Sequence, residues 1–363
     1  MVCVGAVKNG MVKRCASPSL KSAKGKNLRR AIHPIQRIVE PRLQMAMTLQ
    51  ESLSQFAAQA IGERVRALTG SQSNLDDFAT PKGDPGLFGP NSLTWRVHAN
   101  FTAMMVGGLS SLMIQSLHPR ALSAVWDHSD FRHQLKARLG RTAYFVAATT
   151  YGSQAIAMSA IGRVNAIHAN IRGTDPHGQP YVANAPDLIR WVHLAEVSSF
   201  LNAFQYITKN SLPESECDQY IREMAQIGHL LGALDLPMSW HATQAELAGY
   251  FGVLRFDARA KEILRIIENY PTDLLDRPFM RLSLQAAFDV MPAWALGLIE
   301  KQAACALQRQ VTQGTLCMGS KPIQWMLDQQ GVSAVAHQRV GATDLSAGLA
   351  QSLLRSARPH RGC

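Results

Sequence analysis

The stretch YVANAPDLIRWVHLAEVSSFLNAF, Tyr181 to Phe204, decides the fold because most of it has the apolar periodicity of a long buried helix. When successive residues are set about 100° apart around a helix, His193 lies at the centre of an apolar face. Arg190 and Glu196 lie at the edges of that face, and Trp191 points away from it. The residues within about 40° of His193 are all apolar: Pro186, Ile189, Val197, Phe200, Phe204 and Ile207. The pattern predicts a core helix with a histidine on its buried side.

Two interpretations of His193 follow from this position. A core histidine is most often a neutral side chain whose ring nitrogens bond to a carbonyl or hydroxyl oxygen. The alternative is a ligand presented to a metal or a haem iron, because such a ligand needs apolar walls around it. The helix alone does not decide between them.

The rest of the chain extends the helical pattern. Its 363 residues, 47% of them hydrophobic, are enough to bury a large core. Thr243 and Glu246 form the S/T-x-x-E pattern of a helix start, and sustained strand alternation is absent. The predicted fold is therefore mainly α, a single large multi-helix domain with no substantial sheet. Its main helices are predicted over Leu93–Leu117, Arg120–His128, Phe131–Tyr151, Ser153–Ile171, Asp187–Thr208, Glu214–Leu234, Thr243–Phe251, Ala258–Asn269 and Leu282–Gln308.

The first 45 residues differ in composition from the rest. They carry ten Lys or Arg against one acid and lack helical periodicity. They are a disordered basic arm, a transit peptide or, as we favour, sequence upstream of a true start at Met45 or Met47. The predicted regions that follow are a first helix with its loop, the main helical domain, and an extension of weak periodicity: 46–92, 93–313 and 314–363.

The charge distribution and the cysteine pattern argue against several functional classes of protein. The formal charge is +11, but residues 1–45 contribute +9 of it, so the remainder is nearly neutral and nucleic-acid binding is not expected. Six scattered cysteines without a CxxC pattern predict reduced thiols and a cytoplasmic protein. Two uncharged runs, Asn100–Leu117 and Ala143–Gly162, are interrupted by Gly, Ser, Thr and Gln, so we expect buried helices and no stable membrane span.

Small and basic residues mark the helices around this core. Gly107 and Gly108 fall in mid-helix, where each costs roughly 1 kcal/mol relative to Ala, so either another helix or a flat ligand comes close to them. His118 precedes a proline and is either a helix-end residue or a site residue. In RLGRT, Arg138 to Thr142, the i, i+3, i+4 spacing places Arg138, Arg141 and Thr142 on one face. Arginines on a buried helix need anionic partners.

The order of these elements resembles the catalytic-domain family of rubber oxygenases (latex-clearing proteins) and mpaB-type oxygenases. The resemblance covers about Phe88 to Gln308. Four stretches carry it: GGLSSLMIQSLHPRALSAVWDHSDF, RLGRT, GQPYVANAPDLIRWVH and SECDQYIREMAQIGHLLG. Members of that family are helical proteins that bind haem b through a histidine of a core helix.

The resemblance implies a haem pocket with His193 as the axial iron ligand; His118 and His168 are the alternatives. It places Gly107, Gly108 and His118 among the cofactor-binding candidates. It also implies that the catalytic candidates, Arg138, Arg141 and Thr142, lie near the distal or propionate side of the haem.

The chain departs from the family's pattern in two places. Rubber-cleaving members have lysine where Arg141 stands, and they use as base a glutamate upstream of that motif. This chain has no glutamate between Glu63 and Glu196, which leaves Asp127 or Asp130 as candidate bases.

The sequence thus predicts a haem-dependent oxygenase whose partners are O2 and a small apolar, unsaturated substrate. A non-catalytic haem sensor or carrier and a haem-free relative are the alternatives. The oligomeric state is not determined by the sequence.

Overall fold

The computed structural model describes Gly62, Glu63 and residues 74–341. All of them belong to the compact unit that begins at Ala58. The predicted arm, residues 1–45, and nearly all of the predicted first helix lie outside the described residues, as does the end of the predicted extension after residue 341.

The described residues are mainly helical, as predicted, apart from two short strands and two single-turn 3-10 helices, Leu75–Phe78 and Tyr250–Gly252. The helices of the first half are α1 (Leu93–His98), α2 (Phe101–Gln115), α3 (Pro119–His128), α4 (Phe131–Tyr151), α5 (Gln154–His168), α6 (Pro186–Thr208) and α7 (Glu214–Leu231). Those of the second half are α8 (Trp240–Gly249), α9 (Ala258–Glu268), α10 (Arg277–Asp289), α11 (Ala293–Leu298), α12 (Ala306–Gly319), α13 (Lys321–Gln330) and α14 (Val332–Val340).

Helix α6 is the centre of the fold, as its apolar periodicity predicted. It packs along α2 and also contacts α7, α8 and α12, so that only part of its surface is left for a site. Trp191, Leu194 and Leu201 of this helix are almost completely buried. Helix α10 covers the outer side of α2, and α4 packs against α5, which in turn contacts α7. Within the described residues no helix is both long and apolar enough to cross a membrane.

Side-chain capping interrupts one of the predicted helices. The predicted helix Leu93–Leu117 is two helices, α1 and α2. Asn100 has an extended backbone conformation, and its side chain accepts a hydrogen bond from the amide of Ala103 at 2.9 Å, which starts a new helix there.

Two other predicted boundaries were also wrong. Helix α8 starts at Trp240, capped by Ser239, so Thr243 is inside the helix and no capping box is formed with Glu246. The predicted helix Leu282–Gln308 is divided among α10, α11 and α12, with Pro292 preceding the second of them.

Two further regions contain regular structure that the sequence did not indicate. The turn region between α5 and α6 contains a small antiparallel hairpin of β1 (Arg172–Thr174) and β2 (Pro180–Val182). In the predicted extension, α13 and α14 are helical, and α12 spans the predicted boundary after residue 313.

Arg339 joins the last of these helices to the rest of the molecule. It is 1% exposed. Its guanidinium donates hydrogen bonds to the carbonyl oxygens of Phe78, Asp84 and Tyr151 at 2.7 to 3.0 Å, and to that of Gly152 at 3.3 Å. One side chain thus holds the segment before α1 and the end of α4 against α14.

Candidate functional site

His193 lies in the protein interior, as its helical position predicted. It is 7% exposed, and burial, assisted by the charge of His229, lowers its pKa to about 4. A Cβ atom at Gly228 of α7 would lie 3.1 Å from both Cε1 and Nδ1 of the imidazole, so glycine leaves the room that the ring needs. Among the described residues no hydrogen-bond partner of His193 is found. His193 is a neutral, buried and unpaired imidazole.

His98 of α1 is a core histidine whose two ring nitrogens both have hydrogen-bond partners, unlike those of His193. Its Nδ1 lies 2.8 Å from Oγ1 of Thr150, and its Nε2 lies 3.0 Å from the hydroxyl of Tyr220. Burial lowers its pKa to about 3. His98 is therefore a structural histidine, and its pairing makes the lack of partners at His193 more informative.

His118 lies apart from His193. It is 4% exposed, and its ring packs 5.8 Å from the ring of Trp191 and 6.3 Å from that of Tyr250. Trp191 points about 200° away from His193 around α6. Burial, and next the charge of Arg120, lower the pKa of His118 to about 4, and its Nδ1 has no hydrogen-bond partner. The structure therefore places the two histidines on different sides of α6.

The three residues of the RLGRT face differ in burial. Arg138 is half-buried, and its Nη1 donates a hydrogen bond to Oγ of Ser129 at 2.7 Å. Burial, followed by the charge of Arg141, lowers the pKa of Arg138. No carboxylate pairs with Arg138 among the described residues. Arg141 and Thr142 are exposed, and the Thr142 hydroxyl donates to the carbonyl oxygen of Arg138.

His168, at the end of α5, is a histidine whose pKa is influenced by the charge of Arg138. Burial and then the charge of Arg138 lower its pKa. Its Nδ1 is buried without a hydrogen-bond partner. The charges acting on His193 do not include Arg138. The charge of Arg138 thus acts on the pKa of His168.

The two mid-helix glycines have different surroundings. A Cβ atom at Gly107 would lie 2.7 Å from Cδ1 of Phe200, 2.9 Å from its Cα and 3.0 Å from the carbonyl oxygen of Ser199. Gly107 therefore permits the close packing of α2 on α6. A Cβ atom at Gly108 would meet nothing within 4 Å. Of the two interpretations, helix packing holds for Gly107, and only Gly108 has free space beside it.

Glu196 was not identified as a site residue from the sequence. It is half-buried, and burial raises its pKa to about 7. No hydrogen bond or ion pair to its carboxyl group is found among the described residues. The sequence feature that could have identified it is an acidic residue at the edge of the apolar face, three residues after His193.

The two aspartates proposed as bases have other partners. Asp127 accepts a hydrogen bond from the Tyr181 hydroxyl at 2.8 Å and is 3.2 Å from Nη1 of Arg259. Asp130 is exposed and accepts a hydrogen bond from the Gln134 side chain. In the part of the chain that the structure describes, no group of three or more His, Cys, Asp or Glu could hold a metal ion.

One family model matches this chain, and its description is "ER-bound oxygenase mpaB/B'/Rubber oxygenase, catalytic domain". The match covers residues 95–312, which is more than half of the chain and includes α6 with His193 and Glu196. No significant match was found among curated proteins or solved structures.

Proposed function

The chain belongs to the mpaB/rubber oxygenase catalytic-domain family, and from this premise we propose that it is a haem b-dependent oxygenase. Its substrates in this proposal are O2 and a small apolar, unsaturated molecule. Family membership supports oxygenase activity in general. The observation that carries the haem proposal is the neutral imidazole of His193, which lies in an apolar interior and has no hydrogen-bond partner in the part of the chain that the structure describes.

The residues present fit a haem group. A neutral imidazole is the form that binds iron, and apolar surroundings keep water from the ligand. Arg138 offers a half-buried guanidinium that has no carboxylate partner among the described residues, which suits a propionate. When bound, haem supplies O2 activation, and the protein supplies the ligand, the orientation and the exclusion of water.

His168 competes with His193 as the iron ligand in this proposal. It too has an unpaired ring nitrogen, and it feels the charge of Arg138. Paired variants separate the two assignments. With His193 as ligand, His193→Ala reconstituted with haem loses the Soret band, whereas His168→Ala keeps it.

Absorption spectra of the purified protein and of both variants provide the test, with circular dichroism to check the fold. Added imidazole should restore the band of His193→Ala, because it fills the vacated position. The opposite pattern transfers the ligand role to His168. A wild-type protein that takes up no haem refutes the haem proposal and favours a haem-free member of the family.

The role of Arg138 in haem binding can be tested by comparing its substitution with that of its exposed neighbour Arg141. Arg138→Leu removes a half-buried cation that would pair with a propionate, so haem affinity should fall while the fold is kept. Arg141→Leu removes an exposed cation from the same helix and serves as the matched control. Equal haem affinities of the two variants would assign Arg138 a structural role.

A non-catalytic haem sensor or carrier is the second candidate function. His168 has a ring nitrogen without a hydrogen-bond partner besides His193, which favours this alternative, because two protein ligands would leave no iron position for O2. A six-coordinate low-spin spectrum that both histidine variants disturb would support this alternative.

A further inference from the structure

Helix α12 carries a row of exposed apolar residues along one side. Leu307, Val311 and Met318 are 70%, 58% and 73% exposed, and no other large apolar side chain in the described α-helices is as exposed as any of these three. Together with Gly314 they follow the spacing i, i+4, i+7, i+11, which keeps them within about 60° around a helix. These four residues form the α12 stripe. Single exposed apolar residues are common, but a row of them along one helix indicates a contact surface.

The opposite side of α12 is the one that packs on the protein. Thr312 and Leu316 are 3% and 1% exposed. Nε2 of Gln313 donates a hydrogen bond to the carbonyl oxygen of Tyr206 at 2.5 Å, and the guanidinium carbon of Arg309 lies 5.3 Å from the centre of the Tyr206 ring. This side of the helix is thus held against α6 and α10, and the α12 stripe is not needed for that packing.

The α12 stripe is uncharged, and so are the residues beside it. Arg309 is the only charged residue of α12, and its guanidinium lies over Tyr206. Gln308, Gln310 and Thr315, which border the stripe, are exposed and uncharged. A helix that binds a membrane surface usually has Lys or Arg beside its apolar face, which attract anionic lipids. An apolar centre with an uncharged polar rim has instead the composition of an interface between proteins.

The order of side-chain sizes makes the α12 stripe complementary to itself. Its spacings of four, three and four residues are the same in both chain directions. In an antiparallel pair of α12 helices related by a two-fold axis, Val311 therefore lies opposite Gly314 of the second copy, and Leu307 opposite Met318. A Cβ atom at Gly314 would meet nothing within 4 Å, so this position has room for the valine of a second copy. A partner of different sequence would not require this symmetry.

We propose that the α12 stripe is the contact between two copies of this chain, packed antiparallel across a two-fold axis. The 14 residues of α12 form a helix about 21 Å long. The contact of one such helix with its copy is at the small end of specific interfaces, below about 1,200 Å² in total. The dimer is therefore weak, and monomers and dimers exchange at micromolar concentrations. The second copy covers apolar side chains that are otherwise in water.

Sedimentation equilibrium of the full-length protein between about 1 and 100 µM measures the association. The wild type should change from mainly monomer to mainly dimer across this range. Val311→Glu should raise the dimer dissociation constant by about 10-fold or more, because it places a charge at the centre of the contact. Met158→Glu, at an exposed apolar position of α5, is the matched control and should leave the constant unchanged. A wild type that stays monomeric across the range, or equal constants for the two variants, would overturn the proposal.

Gly314→Ala separates a contact between copies from packing within one chain. Its methyl group has free space in the monomer, and alanine favours a helix, so the thermal midpoint should stay the same or rise. In the antiparallel pair the same methyl group meets Val311 of the second copy, so the dimer dissociation constant should rise by about 3-fold or more. A lower midpoint with an unchanged dissociation constant would show that the stripe is covered within its own chain, and would refute the proposal.

A membrane surface is the competing occupant, and the same proteins test it. The dimer predicts that the wild type stays in solution with vesicles of phosphatidylcholine and phosphatidylserine. A monomeric wild type that sediments with these vesicles, and a Val311→Glu variant that does not, would assign the α12 stripe to a membrane and overturn the proposal. None of these measurements uses haem or turnover, so failure of the proposed function would leave their results intact.

Discussion

Replacing Glu196 by glutamine should stabilise the protein in a pH-dependent way. Burial raises the pKa of this carboxyl group from 4.5 to about 7. Below pH 4.5 the group is protonated in both the folded and the unfolded state, so it does not lower the free energy of unfolding. As the pH rises to 7 the unfolded state loses the proton first, and folding stability falls. Above pH 7 the full cost is present.

The size of the effect follows from the two pKa values. At about 1.4 kcal/mol per pH unit, the difference between 4.5 and 7 amounts to about 3 kcal/mol. Glutamine has nearly the same shape but no charge. The free energy of unfolding of Glu196→Gln, relative to the wild type, should therefore increase by about 3 kcal/mol between acidic pH and pH 8.

Denaturant unfolding followed by circular dichroism, from about pH 4 to pH 9, would measure this difference. A change in hydrogen bonding or packing would shift the variant equally at every pH, so the pH-dependent part isolates the ionisation of Glu196. Glu300→Gln, at an exposed position, controls for the loss of one negative charge. A constant difference across this range would refute the assignment of a raised pKa to this half-buried carboxyl group.

Two pairs of substitutions test the packing. Gly107→Ala should destabilise the protein by about 1–3 kcal/mol because its Cβ atom would overlap Phe200. Gly108→Ala, in the same helix, should be neutral or stabilise by up to about 1 kcal/mol; equal thermal midpoints would contradict the packing described. Arg339→Met should cost about 3 kcal/mol or more, since it leaves four carbonyl oxygens without their buried donor. Arg281→Met, at an exposed helix position, is the control, and a similar midpoint for both would show that Arg339 does not hold the helices together.

The fold class and the burial of His193 were determined by the sequence itself. Both depend on apolar residues repeated every three to four positions, which is local information. The ends of α3 and α4 at His128 and Tyr151 were also predicted correctly. The division of Leu93–Leu117 was missed because the Asn100 cap competes with a helix that propensity alone would continue.

Only the tertiary structure decided which polar groups have partners. His98 finds Thr150 and Tyr220, which lie 52 and 122 positions away in the sequence, whereas His193 and Glu196 find none among the described residues. Helical periodicity shows which way a side chain points, but its desolvation and hydrogen bonding depend on helices that are distant in sequence. For this reason a buried face could be predicted around His193, while the unpaired carboxyl group of Glu196 became apparent only when α2, α6 and α7 were packed together.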